Sequence, residues 1–492
     1  METIHLKTID PVSQALLQSA AARGLGLNWE RYEKLQPQDG FLRAGLSCPY
    51  GCLQGPCRID PFGRGADQGI CGLDRDRMVA ASLLRICLNG ALEALADLPG
   101  SDTVTVPAWP GSLAPRAAQA LENLGGGDLA VHEVFQNAAR LHRPGDTAED
   151  LLRGCLRLGL LTVAIMNADE ADRPSGDKAS CRVGYGLLAA DTPVIGCCGQ
   201  PASEFLNDLA GAAATHDPAV GLVALGDWIT MASGYLPIAC TSGETELLLS
   251  SGRISLLVCG SRTDPSIPAI CQKLEIPVIF THEAPEPTQT LRLAVASHNA
   301  RAKTDIFQNR PAAEKAEIVM TAAAFQSKLN THKGDGLALI GGADALQQSL
   351  GWIATEVAPA LAGEGMQVAG WGDAALWMIK RGMTRSEDED PVRVLNPLRG
   401  PLDALEAVAA SDAFDGLRGI CYCGLNSCRD LTVALGLAML GTRVCVGTPL
   451  PLWGSQPVRH RLTVLLEGSG GEFAHFDHPA DAGEILQWFR EQ

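Results

Sequence analysis

Four cysteines in one short stretch constrain this chain more than any other feature. Cys48, Cys52, Cys57 and Cys71 are spaced Cys-x3-Cys-x4-Cys-x13-Cys within CPYGCLQGPCRIDPFGRGADQGICG. The stretch is rich in Gly and Pro and carries neither a helical nor a strand period, so it reads as a loop organised by its thiols. Glycines let backbone N–H groups approach sulfur, and such contacts tune the potential of an iron–sulfur cluster. The segment has no histidine, which argues against a mixed Cys/His zinc site. A zinc site with four thiolates stays open beside the iron–sulfur reading.

The rest of the chain decides whether these thiols are for disulfides or for metal. The opening METIHLKTIDPVSQALL lacks the charged-then-apolar layout of a secretory signal. No apolar stretch of about 18 residues is free of charges and Gly breaks, and the longest candidate, Leu431–Leu440, is too short to span a bilayer. A cytoplasmic chain without a membrane partner is expected, and in that reducing compartment clustered thiols point to metal or redox chemistry. The net charge of −17, with no run of Lys and Arg, excludes nucleic acid as an expected partner. Of the sixteen cysteines, Cys87, Cys155 and Cys271 stand alone in apolar surroundings and read as core.

The chain divides by texture. Residues 10–24 read as a helix with Asp10 as N-cap and Pro11 in the first turn. Asp74 caps a second helix with Val79, Leu83, Ile86, Cys87 and Gly90 on one face, and Thr147 with Asp150 opens a third. Pro107–Pro115 is a turn-rich joint, and the acidic run Ser386–Asp390 reads as a solvated loop. From about residue 190, short apolar runs alternate with helical stretches: Thr192–Gly196, Val220–Leu225, Ile254–Cys259 and Ile276–Thr281. A second series follows with GLALIGG, MQVAGWG, GLRGICYCG, a helix at Asp430–Leu440, and TRVCVGT. Such alternation predicts parallel strands in βα units. The expected fold class is α/β: a helical, cysteine-bearing domain over 1–145, then Rossmann-like α/β domains over 146–332 and 333–492. Neither a G-x-G-x-x-G nor a G-x-x-x-x-G-K-[ST] fingerprint occurs, so nucleotide binding is disfavoured.

GPCRI, the thirteen-residue gap and GICGLDRDRMVAASLLR resemble the N-terminal cluster segment of the anaerobic nickel-dependent carbon monoxide dehydrogenases, relatives of the hybrid-cluster proteins. The resemblance favours a [4Fe-4S] cluster on Cys48, Cys52, Cys57 and Cys71. It also exposes a departure. The family has two adjacent cysteines here, the first bridging a cluster shared between subunits and the second opening a Cys-x2-Cys step. This chain has Ser47-Cys48-Pro49, a Cys-x3-Cys step and no earlier cysteine. A homodimer or hetero-complex without a shared bridging cluster is therefore expected.

Further cysteines fall at turns after expected strands: Cys197 and Cys198, Cys240, Cys421, Cys423 and Cys428, and Cys445. Ligands of open α/β sheets gather beyond the carboxyl ends of strands, so these thiols are candidates for a second metal site, against a reading as scattered buried thiols. The resemblance narrows the set. IACTSGETE resembles the family's Cys-Thr-Gly-Asn-Glu segment, which implies Cys240 as a ligand, with Glu244 and Glu246 as acid/base candidates. YCGLN resembles the family's Gly-Cys-Asn-Asn turn, which implies Cys423. GCCGQPASE resembles a stretch that bears a His ligand, where Cys197 or Cys198 now stands. LLVCGSRTDPSIP places Cys259 earlier than the family's cysteine, RVCVGTPLPLW has Thr448 and Pro449 near an expected ligand, and the proton-carrying histidines of the family are absent.

Three functions follow as expectations. The first is a carbon monoxide dehydrogenase-like oxidoreductase, with a [4Fe-4S] cluster relaying electrons between a ferredoxin-like carrier or redox subunit and a second Fe–S or Ni–Fe–S cluster on Cys198, Cys240 and Cys423. The second is a hybrid-cluster-like reductase of a small nitrogen species such as hydroxylamine. The third is a non-catalytic cluster-carrying or electron-transfer subunit of a larger complex.

Overall fold

The computed structural model describes residues 7–491, apart from 36–39, 97–105, 107, 143–144, 172–177, 233, 304–305, 310–314, 332–335, 385–393, 396 and 412–415. The Ser386–Asp390 run and part of the Pro107–Pro115 joint lie outside the described residues. The chain is α/β throughout. In chain order its strands are β1 (Lys178–Val183), β2 (Val194–Cys198), β3 (Gly221–Leu225), β4 (Thr230–Met231), β5 (Gly234–Tyr235), β6 (Ile238–Cys240), β7 (Leu256–Cys259), β8 (Val278–Phe280), β9 (Lys315–Met320), β10 (Leu337–Gly341), β11 (Gln367–Gly370), β12 (Leu417–Tyr422), β13 (Arg443–Val446) and β14 (Glu472–His475).

Two compact units emerge, each assembled from three segments. The first takes Met1–Gln36, Pro174–Ser327 and Ala343–Gly400; the second takes Pro37–Arg173, Lys328–Gly342 and Pro401–Gln492. The contiguous division into 1–145, 146–332 and 333–492 expected from texture follows the order of elements, whereas these units follow packing.

The first unit is built on a seven-stranded sheet of order β8-β7-β2-β3-β6-β1-β9. Every pairing is parallel except β1 with the edge strand β9. Strands β2 (VIGCC) and β7 (LLVC) are buried at every position, as parallel strands covered on both faces must be. The helix Pro11–Ala22 starts as expected. Asp10 Oδ1 accepts from the N–H groups of Val12 and Ser13 at 2.8 Å each, which satisfies two of the donors a helix start leaves open.

In the second unit, β10, β12, β13 and β14 form a parallel run. Three long helices, Arg75–Ala96, Ala148–Ala171 and Cys428–Met439, pack against one another. Thr147 and Asp150 cap the second of them reciprocally, and Asp74 Oδ1 accepts from Arg77 N at 2.8 Å at the start of the first. Arg75–Ala96 is long and apolar enough, by length and composition, to cross a membrane, but 61% of its most apolar window is buried inside the protein. Cys87 and Cys155 meet between these helices as buried thiols, and Cys271 is buried in the first unit.

Candidate metal centre

The Cys48–Cys71 segment closes on itself through short backbone bridges. Cys48 N–H donates to Cys57 C=O at 2.9 Å and Ile59 N–H to Leu46 C=O at 3.0 Å, which sets Cys48 beside Cys57. A tight turn, with Gly69 N–H on Leu73 C=O and Gly72 N–H on Gly69 C=O at 2.8 Å each, presents Cys71. Arg75 Nη2 donates to Asp60 C=O at 3.0 Å, tying the loop to the helix that follows. Two backbone N–H groups already point at sulfur: Gln54 at Cys52 Sγ (3.3 Å) and Ile70 at Cys57 Sγ (3.5 Å). Gly69 lies against Cys57, where an added Cβ would be in ordinary contact with its Sγ at 3.6 Å. Burial raises the Cys48 thiol, and the charges of Cys57 and Cys71 raise it further, which places these three sulfurs within electrostatic reach of one another. Tyr50, half-buried over the same group, is pushed up to about 12 by burial and then by Cys48. Cys52 and Cys71 are exposed.

The remaining thiols sort by strand and face. In the first unit Cys198 and Cys259 end the adjacent strands β2 and β7 in direct register. They share a hydrogen bond: Cys198 is raised by Cys259 and by burial, while Cys259 is lowered by Cys198, despite burial, with help from Thr263. Cys240 ends β6, with β3 lying between it and β2. Its thiol is raised well above the usual range, by burial first and the Glu244 charge second. Cys198, Cys240 and Cys259 belong to one core cluster, whereas Cys197, the next residue on the strand, points into another. Strand alternation thus separates the two neighbours that sequence left as alternatives.

In the second unit Cys421 and Cys445 are register partners on β12 and β13. A hydrogen bond from Cys423 lowers Cys421, but Cys445 beside it and burial carry it well above the usual range. Cys423 stands just past β12, where its N–H donates to Gly341 C=O at 2.8 Å. Cys428 opens the helix Cys428–Met439 instead, facing Asn89, Glu93 and Cys87. Among the described residues no three His, Cys, Asp or Glu side chains close on a common point as ligands of one ion would.

Glu244 and Glu246 are buried in ion pairs. Lys380 Nζ lies 2.7 and 2.8 Å from the two Glu244 oxygens, and Ser13 Oγ donates to Glu244 Oε1 at 2.6 Å. Glu246 takes Arg31 on both oxygens and Asn28 N–H at 2.8 Å. Sequence reasoning noted Cys259 only as standing earlier than the family's cysteine and missed its pairing with Cys198, which depends on strand register. It also passed over Asp373, which accepts from Ser242 N–H on the turn after Cys240, and Asp344, whose N–H donates to Asp373.

No family model matches the chain. Carbon monoxide dehydrogenase 1 of Methanosarcina mazei is 49% identical over 90 residues, which are 18% of this chain and 14% of that protein. The carbon monoxide dehydrogenase of Rhodospirillum rubrum is 51% identical over 81 residues, 16% of this chain and 12% of its own. Carbon monoxide dehydrogenase 2 of Carboxydothermus hydrogenoformans is 26% identical over 373 residues, covering 60% of this chain and 58% of that one. Each sequence match thus spans less than two thirds of the relative. Among solved structures, carbon monoxide dehydrogenase IV from Carboxydothermus hydrogenoformans superposes with a TM-score of 0.73 at 18% identity, covering 98% of both chains. A nickel-free carbon monoxide dehydrogenase from Thermococcus sp. AM4 gives 0.77 at 18% identity, over 99% of this chain and 98% of that one. The chain is thus similar in sequence to segments of carbon monoxide dehydrogenases, and it shares the fold of the solved ones.

Proposed function

We propose that the chain is an iron–sulfur redox enzyme that oxidises CO with water to CO2, two protons and two electrons, with Cys48, Cys52, Cys57 and Cys71 holding a [4Fe-4S] cluster. The observation that carries the reading is the loop itself, where four thiols and two N–H groups aimed at sulfur coincide. A single zinc needs its thiolates gathered around one atom at about 2.3 Å. A four-iron cluster takes one thiolate per iron and holds the four apart. Such a cluster, when bound, carries single electrons. The exposure of Cys52 and Cys71 suits exchange with a ferredoxin-like carrier.

A second Fe–S or Ni–Fe–S centre draws on Cys198 and Cys240 at the carboxyl end of the seven-stranded sheet, with Cys259 as an added donor from its shared hydrogen bond. Cys423 is the corresponding candidate on the β12 turn. All sixteen cysteines are free, which fits a reducing, cytoplasmic setting. The raised Cys48, Cys198 and Cys240 thiols would bind metal only as thiolates, so assembly releases protons.

The test is iron and nickel per chain after anaerobic purification, with CO-dependent dye reduction. Nickel near one per chain with turnover is the expected result. Iron without nickel, with hydroxylamine reduction, would establish the hybrid-cluster-like alternative. About four irons, as one cubane gives, and no turnover would leave a cluster-carrying subunit. Without a bridging cluster, Cys48→Ser leaves the oligomer size unchanged by light scattering.

A further inference from the structure

Polar side chains close over the amino ends of β2 and β7, at the opposite end of these strands from Cys198 and Cys259. Asp191 lies just before β2, and Arg253 and Ser255 just before β7. His298 sits in the last turn of the helix Pro287–Ala300, with Lys303 just beyond it. Ser255 N–H donates to Val194 C=O at 2.8 Å, and Ser255 Oγ accepts from Val194 N–H at 3.3 Å. The buried His298 has its Nδ1 3.4 Å from that Oγ. Its Nε2 lies 2.9 Å from Lys303 Nζ and 3.6 Å from Asp191 Oδ1, and Lys303 Nζ donates to the same Asp191 oxygen at 2.9 Å. An ammonium can only donate, so Nε2 is the bare, accepting nitrogen and the ring hydrogen sits on Nδ1, towards Ser255. Arg253 Nη1 reaches Asp191 Oδ1 as well, at 3.5 Å. The backbone is closed here too. A Cβ on Gly252 would lie 2.2 Å from Ala302 C=O, so the strap Ala302–Lys303 presses directly on this glycine.

We propose that Lys303 on His298 is a proton-operated clasp: protonation of His298 expels the Lys303 ammonium, turns Nε2–H to Asp191, and frees the strap Ala302–Lys303 from Gly252. The step is proton uptake from solvent. Nε2 gains the proton, no bond between heavy atoms changes, and no electron moves. A doubly protonated ring has no lone pair for Lys303, and two cations at this separation repel. Asp191 Oδ1 already lies within reach of both, so the carboxylate passes from one cation to the other. The charged groups acting on His298 are Lys303, Asp191 and Arg253. Arg301 turns away and donates to Leu274 C=O and Glu275 C=O at 2.8 Å each. Burial first, then Lys303, hold the ring below its ordinary value, with Asp191 opposing and Arg253 adding to the fall. The clasp is therefore shut at neutral pH and opens on acidification. It stands apart from the thiols proposed as ligands and does not depend on the redox reading above.

Two exchange measurements on the full chain as purified, both read by mass spectrometry against pH, test the clasp: histidine C2–H exchange and backbone amide exchange. The His298 midpoint is expected below the ordinary value of about 6.5. Amide exchange over 250–255 and 299–303, corrected for its intrinsic pH dependence, should rise by up to about tenfold per pH unit below that midpoint, as uptake of one proton requires. Lys303→Met should move the His298 midpoint up and leave both segments exchanging fast at every pH, because the ammonium that depressed the ring and tied the strap is gone. His298→Gln keeps an oxygen that accepts from Lys303 and should hold both segments slow throughout. A His298 midpoint that Lys303→Met leaves in place overturns the clasp, as does a wild-type exchange transition that does not follow the His298 midpoint. So does acid-induced exchange that persists in His298→Gln, or that spreads equally along β2 and β7 as unfolding of the whole unit would.

Discussion

Glu244 is buried completely, and its nearest cation, Lys380, is 7% exposed and lies 4.3 Å from the Trp377 ring and 4.7 Å from the Tyr185 ring. Burial alone would lower the Lys380 pKa, but Glu244 and Asp10 more than offset it and the value is raised. The pair's stabilisation is therefore present below the unfolded value near 10.5 and fades as pH rises through the folded one. Removing one member of such a pair leaves a bare buried charge, which costs about 3–5 kcal/mol. Lys380→Met should lower the unfolding free energy by that amount, read as a lower urea midpoint at unchanged slope, and adding Glu244→Gln should recover part of it. A double variant no better than the single one would refute the coupling. His475 titrates the other way. Burial, then Arg459, lowers it to about 4, and its Nδ1 is buried without a hydrogen bond. Between the unfolded value of about 6.5 and that figure the unfolded chain binds the extra proton. Stability should therefore decrease as pH is lowered from about 6.5 towards 4, by up to about 1.4 kcal/mol per unit. His475→Gln should flatten the profile of unfolding free energy against pH.

At the scale of elements, close approach is a design feature that spacing hardly reveals. A Cβ on Gly90 would lie 2.2 Å from Thr432 Oγ1 and 2.5 Å from Cys428 C=O; one on Gly436 would lie 2.5 Å from Gly159 C=O. The backbone of Cys428–Met439 thus touches both long helices at glycines. Overpacking typically costs about 1–3 kcal/mol, and obstruction by backbone puts Gly436→Val at the upper end, measurable as a shift in urea midpoint with unchanged slope. Gly363→Ala, with open space around it, is the control. Strands β2 and β7 were legible because a strand covered on both faces is a continuous apolar run, and β3 and the edge strand β8 because they too are short apolar runs, although β8 is only half-buried. Strands β1 (KASCRV) and β9 (KAEIVM) were not, since each carries charges and they pair antiparallel far apart in sequence. β6 is only three residues long. The Cys48–Cys71 loop announced itself through spacing, but the Cys198–Cys259 pair depends on the β2–β7 register, which spacing does not encode.

For the whole molecule the open question is what folds as a piece. Reading domains from texture gives 146–332 as a contiguous α/β body, and that fragment does hold β1 to β9. It lacks the segments 1–36 and 343–400, however, and these supply the partners of its buried carboxylates: Ser13 and Lys380 for Glu244, Arg31 and Asn28 for Glu246. Two uncompensated carboxylates at about 3–5 kcal/mol each would consume most of the roughly 5–15 kcal/mol that holds a domain folded. It would also expose the cover that the helix Pro11–Ala22 gives to Leu247, Leu248 and Leu249, since Val12, Leu16 and Ala20 share their core cluster. Fragment 146–332 made alone should therefore show no cooperative urea transition and rapid proteolysis. The three segments 1–36, 174–327 and 343–400, joined by flexible linkers, should show a single transition that Lys380→Met weakens. A cooperative, protease-resistant 146–332 fragment would instead make the contiguous division the folding unit, with both end segments as later additions.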